Sequence, residues 1–299
     1  MANKRHLKAV FGLTILLLGG GSFQVVRAQD DESKAIKAEE FIRQRPTKGS
    51  TSSATPPKYR RRSNTAPRAT PPLGTAFAQL GVTIWRFRPS TTADKTKELI
   101  EEDGENKEVT LERIEEGTPV LPGQKIRLSV ESLSREGFLY VVDRERYSDG
   151  TLGEPLLIFP TKRTSDSNRV RAGRLVYIPS PTGKFNIKPS QSSKTQVAEV
   201  ITVLVSPEPL IPNDQLDAKA IRLPRQLFES WEKKWGAAAT KFEMDGGAGL
   251  TMTDKEQAAG SDGSQILTQD DPVPQTVYRV AIKPDAPLLV SVPLRFERP

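Results

Sequence analysis

Residues 126–142 read Ile-Arg-Leu-Ser-Val-Glu-Ser-Leu-Ser-Arg-Glu-Gly-Phe-Leu-Tyr-Val-Val. The first part alternates. Ile126, Leu128 and Val130 fall on one side, and Arg127, Ser129 and Glu131 on the other. Strand side chains point to the two faces in turn, so this is the pattern of a half-buried strand. The second part does not alternate. Phe138-Leu139-Tyr140-Val141-Val142 is apolar at every position, as in a central strand covered on both faces.

Strand signals continue on either side. Upstream, Val82, Ile84 and Arg86 alternate with Thr83, Trp85 and Phe87. The acidic stretch Glu98–Glu108 reads as a loop, followed by Val109 and Leu111. Leu121-Pro122-Gly123-Gln124 is a turn of the Pro-Gly kind. Downstream, Ser148-Asp149-Gly150 closes a hairpin and Leu156-Leu157-Ile158-Phe159 returns. Leu175–Pro179, Phe185–Ile187 and the β-branched run Val197–Val205 follow, and Val277–Ile282 and Leu288–Phe296 end the chain.

Between these lies a helical interruption. Leu223, Leu227, Trp231 and Trp235 recur every four residues, Pro224 suits a first turn, and Gly236 marks the stop. Thr253-Asp254-Lys255-Glu256 is a capping box for a second helix ending near Gly260. The expected fold is mainly β: a β-sandwich or open barrel of about 8–10 strands with one covering helix. Residues 73–299 form one β-rich domain with a helical and loop-rich insertion at 208–275.

Several short motifs follow one another in a definite order: Ile126–Val130, Glu136-Gly137-Phe138-Leu139-Tyr140-Val141-Val142, Leu156–Pro160, Asn168-Arg169-Val170-Arg171-Ala172-Gly173 and Tyr177-Ile178-Pro179. Over residues 81–207 this order resembles the bacterial family known as domain of unknown function 4384. Phe138 stands where that pattern more usually has Tyr. The resemblance implies an extracytoplasmic β-rich module. It implies no activity and supplies no catalytic residues.

The N-terminus reads as an export signal. Residues 1–8 hold Lys4, Arg5 and Lys8 and no acid, Ala9–Gly21 is apolar, and Val26-Arg27-Ala28 precedes Gln29. A basic start, a short apolar run and small residues before the cut make a secretory signal peptide over residues 1–28, cleaved between Ala28 and Gln29. Retention as an anchor is the rival reading. Residues 29–72 are charged and rich in Pro, Ser and Thr, which predicts a disordered segment. Its basic residues Lys58, Arg60, Arg61 and Arg62 suit contact with an anionic surface, or simple solvation. The formal net charge of +7 is carried by these two N-terminal parts. Residues 73–299 hold 30 basic and 32 acidic residues.

Residue types restrict the chemistry. There is no Cys, and the one His is His6, inside the signal. Thiolate nucleophiles, Ser-His-Asp sites and zinc bound through His or Cys are therefore excluded from a processed chain. Ser190-Gln191-Ser192-Ser193-Lys194 lacks the Ser-x-x-Lys spacing and reads as a surface loop. Glu101-Glu102-Asp103 and Glu115-Glu116 read as solvated charge. Asp262-Gly263 and Asp270-Asp271 read as turns, since neither has the spacing of a calcium loop. The glycines of Asp245-Gly246-Gly247-Ala248-Gly249 read as a flexible connector rather than a phosphate loop. Trp85, Trp231 and Trp235 could stack on sugars, but the helical spacing of the last two favours packing on a sheet.

No cofactor, metal site, catalytic residue or nucleic-acid partner is expected, nor any transmembrane segment in the mature chain. The leading expectation is an exported, non-enzymatic binding module of the bacterial envelope, periplasmic or extracellular, whose partner is another envelope protein or a polysaccharide. Two alternatives stay open: a carboxylate- or Ser/Lys-based envelope hydrolase, and a structural subunit of an envelope assembly.

Overall fold

The computed structural model describes residues 36–47, 57–62, 76–164, 168–188, 194–261, 265–283 and 285–297, all within one unit, Ser33–Pro299. Its strands are β1 (Ile36–Lys37), β2 (Lys58–Arg62), β3 (Ala76–Pro89), β4 (Glu98–Glu102), β5 (Glu105–Ile114), β6 (Lys125–Ser132), β7 (Gly137–Tyr147) and β8 (Leu156–Phe159). They continue as β9 (Arg169–Val170), β10 (Val176–Ile178), β11 (Phe185–Asn186), β12 (Gln196–Ser206), β13 (Ile221–Arg222), β14 (Ala239–Met244), β15 (Thr276–Ile282) and β16 (Leu288–Arg295). The helices are α1 (Glu39–Ile42), α2 (Arg225–Trp235) and α3 (Asp254–Ser261). The strand total exceeds the expected 8–10 because β1, β9 and β13 are only two residues long and β2, β4 and β14 fall in stretches read as a disordered segment, a loop and an insertion.

Two antiparallel sheets form the sandwich. The larger runs β1-β2-β14-β15-β3-β5-β4, with β6 also on β3 and β10 and β11 on β6. The long β3 organises it. Its first half pairs with β15 and its second half with β5, while β6 spans both on the opposite edge. The smaller sheet runs β13-β8-β7-β12-β16, with β9 on β7. Its centre is the continuous apolar run: Leu139 and Val141 face the core shared by the two sheets, and Tyr140 and Val142 face outward. The alternation of β12 has the same logic. Ile201, Val203 and Val205 point in and Leu204 points out.

Both outer faces are covered. Phe228 and Trp231 of α2 pack on Tyr140, Val142, Leu157 and Leu204 of the smaller sheet. Leu227 is exposed, so the stripe of α2 that packs inward is Phe228 and Trp231 with Trp235 half-buried beside them, Phe228 taking the place expected for Leu227. The helix α3 covers the larger sheet, where Met252 and Ala259 meet Trp85, Phe87 and Tyr177. Its capping box is present: Thr253 N and Oγ1 donate to Glu256 Oε2 at 3.0 and 2.8 Å, and Glu256 N donates back at 3.2 Å. The expected insertion at 208–275 therefore divides. Its first part covers one sheet, β14 joins the other, and its last part covers that one.

Three further expectations are corrected. Within residues 29–72, the described segments 36–47 and 57–62 are folded. The strand β2 pairs with β14, and Phe41, Ile42 and Tyr59 are buried with Phe242 and Val277. A few large apolar side chains, spread among polar ones, are enough to dock this strap because the sheet offers a free edge. The acidic stretch 98–108 is a hairpin of β4 and β5. Asp103 (φ 53°) and Gly104 (φ 80°) form its two-residue turn, which demands positive φ at both places. Finally, β6 is buried on both faces. Its polar residues are internal because each finds a partner. Arg127 forks onto Glu98 with two 2.9 Å bonds, Ser129 accepts from Trp85 Nε1 at 3.0 Å, and Glu131 receives Arg45.

Candidate functional site

The larger sheet extends beyond the smaller one. The smaller sheet ends at β16, whereas β14, β2 and β1 continue past it. Along β14 the residues facing the smaller sheet are Lys241 and Glu243. Cross-strand register places Tyr278 of β15 and Arg62 of β2 beside Lys241, and Thr276 and Arg60 beside Glu243. Among the described residues no strand lies opposite them; the loop carrying Glu115 and Glu116 does, so this polar shelf next to β16 is mostly buried at Lys241, Glu243, Thr276 and Tyr278 and exposed at Arg60 and Arg62. A cavity of about 200 Å³ opens there. Glu116, Lys241, Tyr278 and Ser291 give it polar walls, and Leu289 and Val290 an apolar one.

The shelf is wired by hydrogen bonds and ion pairs. Tyr278 Oη donates to Glu116 Oε2, and Lys241 Nζ lies 3.3 Å from the same oxygen and 3.5 Å from Glu243 Oε2. Glu243 Oε1 accepts from Glu116 N at 3.2 Å and from Thr276 Oγ1 at 3.1 Å. Burial raises the Glu243 carboxyl above its ordinary range, with Lys241 pulling the other way. Burial and then Glu116 push the Tyr278 phenol well above 10. Glu116 is therefore a wall of the cavity and not the solvated charge its sequence context suggested.

Arg62 pairs with Glu115 at 2.9 Å and Arg60 with Asp245 at 3.1 Å. Half of the basic run is thus matched by acids on its own surface. Lys58 and Arg61 are exposed and have no ion-pair partner among the described residues. The neighbouring strand is guarded. Arg295 O accepts from Val120 N at 2.8 Å and Glu297 N donates to Val120 O at 3.1 Å, so odd-numbered backbone groups of β16 face away from β12. Pro293 occupies one of these outward positions and has no N–H to offer an incoming strand.

A second polar group lies at one end of the smaller sheet. Asp143 of β7 and Glu199 of β12 face the interior and lie within hydrogen-bond reach of each other. Burial pushes both carboxyls up, Glu199 to about 8 and Asp143 to about 6. The Asp143 charge adds to the shift at Glu199.

The other sequence candidates separate. Trp85 is fully buried beneath Arg113, and Trp231 is buried with Trp235 stacked on it at 5.9 Å, so these indoles serve packing. Asp271 caps a turn, accepting from Thr268 N at 2.8 Å and from Lys255 at 2.5 Å. Lys194 bonds Asp149 at 2.9 Å and Thr151 at 2.8 Å. Ala28, Gln29, Ser190–Ser193 and Asp262-Gly263 lie outside the described residues. Among the described residues, no group of three or more Asp, Glu, His or Cys side chains could hold a metal ion. No helix among them is long and apolar enough to cross a membrane.

Nothing in the sequence marked Glu116, Tyr278 or Lys241 as neighbours, since they come from three distant strands or loops. The one signal was Lys241-Phe242-Glu243, which alternates like a strand inside the presumed insertion. Comparison with protein-family models, with curated proteins and with solved structures finds no match.

Proposed function

We propose that this chain is an exported, non-enzymatic interaction module of the bacterial cell envelope. It meets another envelope component, protein or polysaccharide, at the polar shelf beside β16. The observation that supports this is the overhang itself. A mixed-charge cluster, exposed at Arg60 and Arg62 and opening to an adjoining cavity, has no facing strand among the described residues on a body otherwise covered on both sides. Export and a periplasmic or extracellular place rest on residues 1–28. The ordered motifs over residues 81–207, which resemble the family named above, agree with an extracytoplasmic module.

The test is in-cell cross-linking from a photoreactive residue placed at Ser291, followed by identification of what is captured. A defined envelope partner, lost in a Lys241→Glu, Arg62→Glu double variant that still folds, supports the proposal. Capture unchanged in that variant removes the shelf as the contact. Co-purification at fixed stoichiometry would make the chain a structural subunit.

One observation favours a second reading. Asp143 and Glu199 are a pair of interacting carboxyls, the raw material of general acid–base hydrolysis. Turnover of an envelope substrate by the purified chain, abolished by Asp143→Asn, would establish the hydrolase instead.

A further inference from the structure

The inward rows of β7 and β12 begin apolar and end acidic. Leu139 and Val141 lead into Asp143 and Glu145, and Val205, Val203 and Ile201 lead into Glu199. Glu199 stands directly across from Glu145, and Asp143 is one step along, opposite Ile201. Three carboxyls therefore share one face of two neighbouring strands. No Lys or Arg among the described residues pairs with any of them. Arg144 turns to the outer face and bonds Glu232 at 3.0 Å, while Lys194 holds Asp149. Arg146 and Arg295 occupy outward positions. Level with the pair, β16 contributes Val292 and Leu294, and β8 contributes Leu156. The charged groups acting on the pair are Glu145 and the two carboxyls themselves.

The hydrogen bonds leave a specific gap. Gln196 Nε2 donates to Glu199 Oε1 at 2.6 Å, and Tyr147 Oη donates to Glu145. Asp143 Oδ1 and Glu199 Oε2 are shielded from solvent and receive no donor. Two facing carboxylate oxygens without a donor are unfavourable if both are charged, whereas one proton between them turns repulsion into a hydrogen bond. The carboxyls do not converge as metal ligands do. The backbone pairing of β7 with β12 is also irregular here, shifting register between Gln196 and Ala198.

We propose that Asp143 and Glu199 share a proton that holds this end of β7 and β12 together, and that its loss loosens the end of the smaller sheet. The pair is then a pH-sensitive latch. Below neutrality the latch is closed. As pH rises the proton leaves, and three adjacent negative charges remain on one face.

Amide hydrogen exchange of the purified chain tests this at pH 5.5, 7.0 and 8.5, after correction for the intrinsic pH dependence of exchange. In the native chain, residues 140–147 and 196–202 should lose protection between pH 7.0 and 8.5, by up to about tenfold per pH unit, the most that release of one proton allows. Glu199→Gln supplies a permanent donor and should flatten the profile. Asp143→Asn gives the same reading should the first variant fail to fold. Profiles equally steep in the native chain and in either folded variant would overturn the proposal. So would a loss of protection at pH 5.5 on adding EDTA that calcium restores, since a cation would then sit between the oxygens.

Discussion

Arg45 and Glu131, 86 residues apart in the chain, form a two-pronged pair, with Nε 2.8 Å from Oε1 and Nη2 2.6 Å from Oε2. Neither side chain is exposed at all. Arg45 Nη1 also reaches the carbonyls of Thr268, Asp271 and Pro272 at 3.1–3.2 Å, and Gly173 N donates to Glu131 at 2.6 Å. This cluster joins the N-terminal strap, the larger sheet and the last loops at one point. Breaking a buried pair from one side leaves an uncompensated charge and costs roughly 3–5 kcal/mol. Arg45→Ala should therefore shift the urea midpoint strongly, and Arg45→Met combined with Glu131→Leu should recover much of the loss.

Glu256 has two duties. It caps α3 through Thr253 and receives Arg113 Nη2 at 2.5 Å, where Arg113 also lies over Trp85. Glu256→Gln keeps a capping acceptor but loses the charge, while Glu256→Ala loses both. The alanine variant should be the less stable by about 1 kcal/mol, the value of a cap. Denaturant titration of the two variants measures the difference.

Gly260 sits against the ring of Tyr177, where an added Cβ would lie 2.2 Å from a ring carbon. Tyr177 cannot easily yield, because its Oη donates to Glu256 O at 2.8 Å. Gly260→Ala should cost about 1–3 kcal/mol by overpacking, despite the better helix propensity of alanine. Thermal denaturation with unchanged cooperativity is the readout.

Burial is the largest cause that pushes the phenols of Tyr59, Tyr177 and Tyr278 above their ordinary value. Titration followed by absorbance at 295 nm should accordingly miss these three tyrosines until the chain unfolds in one step. Tyr278→Phe should reduce the size of that late step.

Global stability should fall as the solution turns from mildly acidic to alkaline. Between the ordinary glutamate value and about 8, folded Glu199 keeps a proton that the unfolded chain has released. The folded state binds more protons there, so each rise in pH favours unfolding. The urea midpoint should drop from pH 6 to pH 9, and Glu199→Gln should remove part of that slope.

The sheets were legible wherever apolar residues alternated or ran together, because burial between two layers writes itself into those positions. Trp85 and Phe87 against Val82 and Ile84 show this directly: each pair faces a different core. The strand β6 misled because Arg127, Ser129 and Glu131 look like a solvent face. They are internal only because Glu98, Trp85 and Arg45 arrive from elsewhere in the chain. The short strand β2 was hidden for a related reason, since β14, the strand that ties it to the rest of the sheet, lies about 180 residues away. The cavity shared that fate, as periodicity reports which face of an element is buried and not what meets it.

The docking of β2 onto β14 also shortens a leash. Read as unstructured, residues 29–72 could reach about 150 Å at full extension. With β1 paired to β2 and β2 to β14, the folded body among the described residues starts at Ile36 and not beyond residue 72.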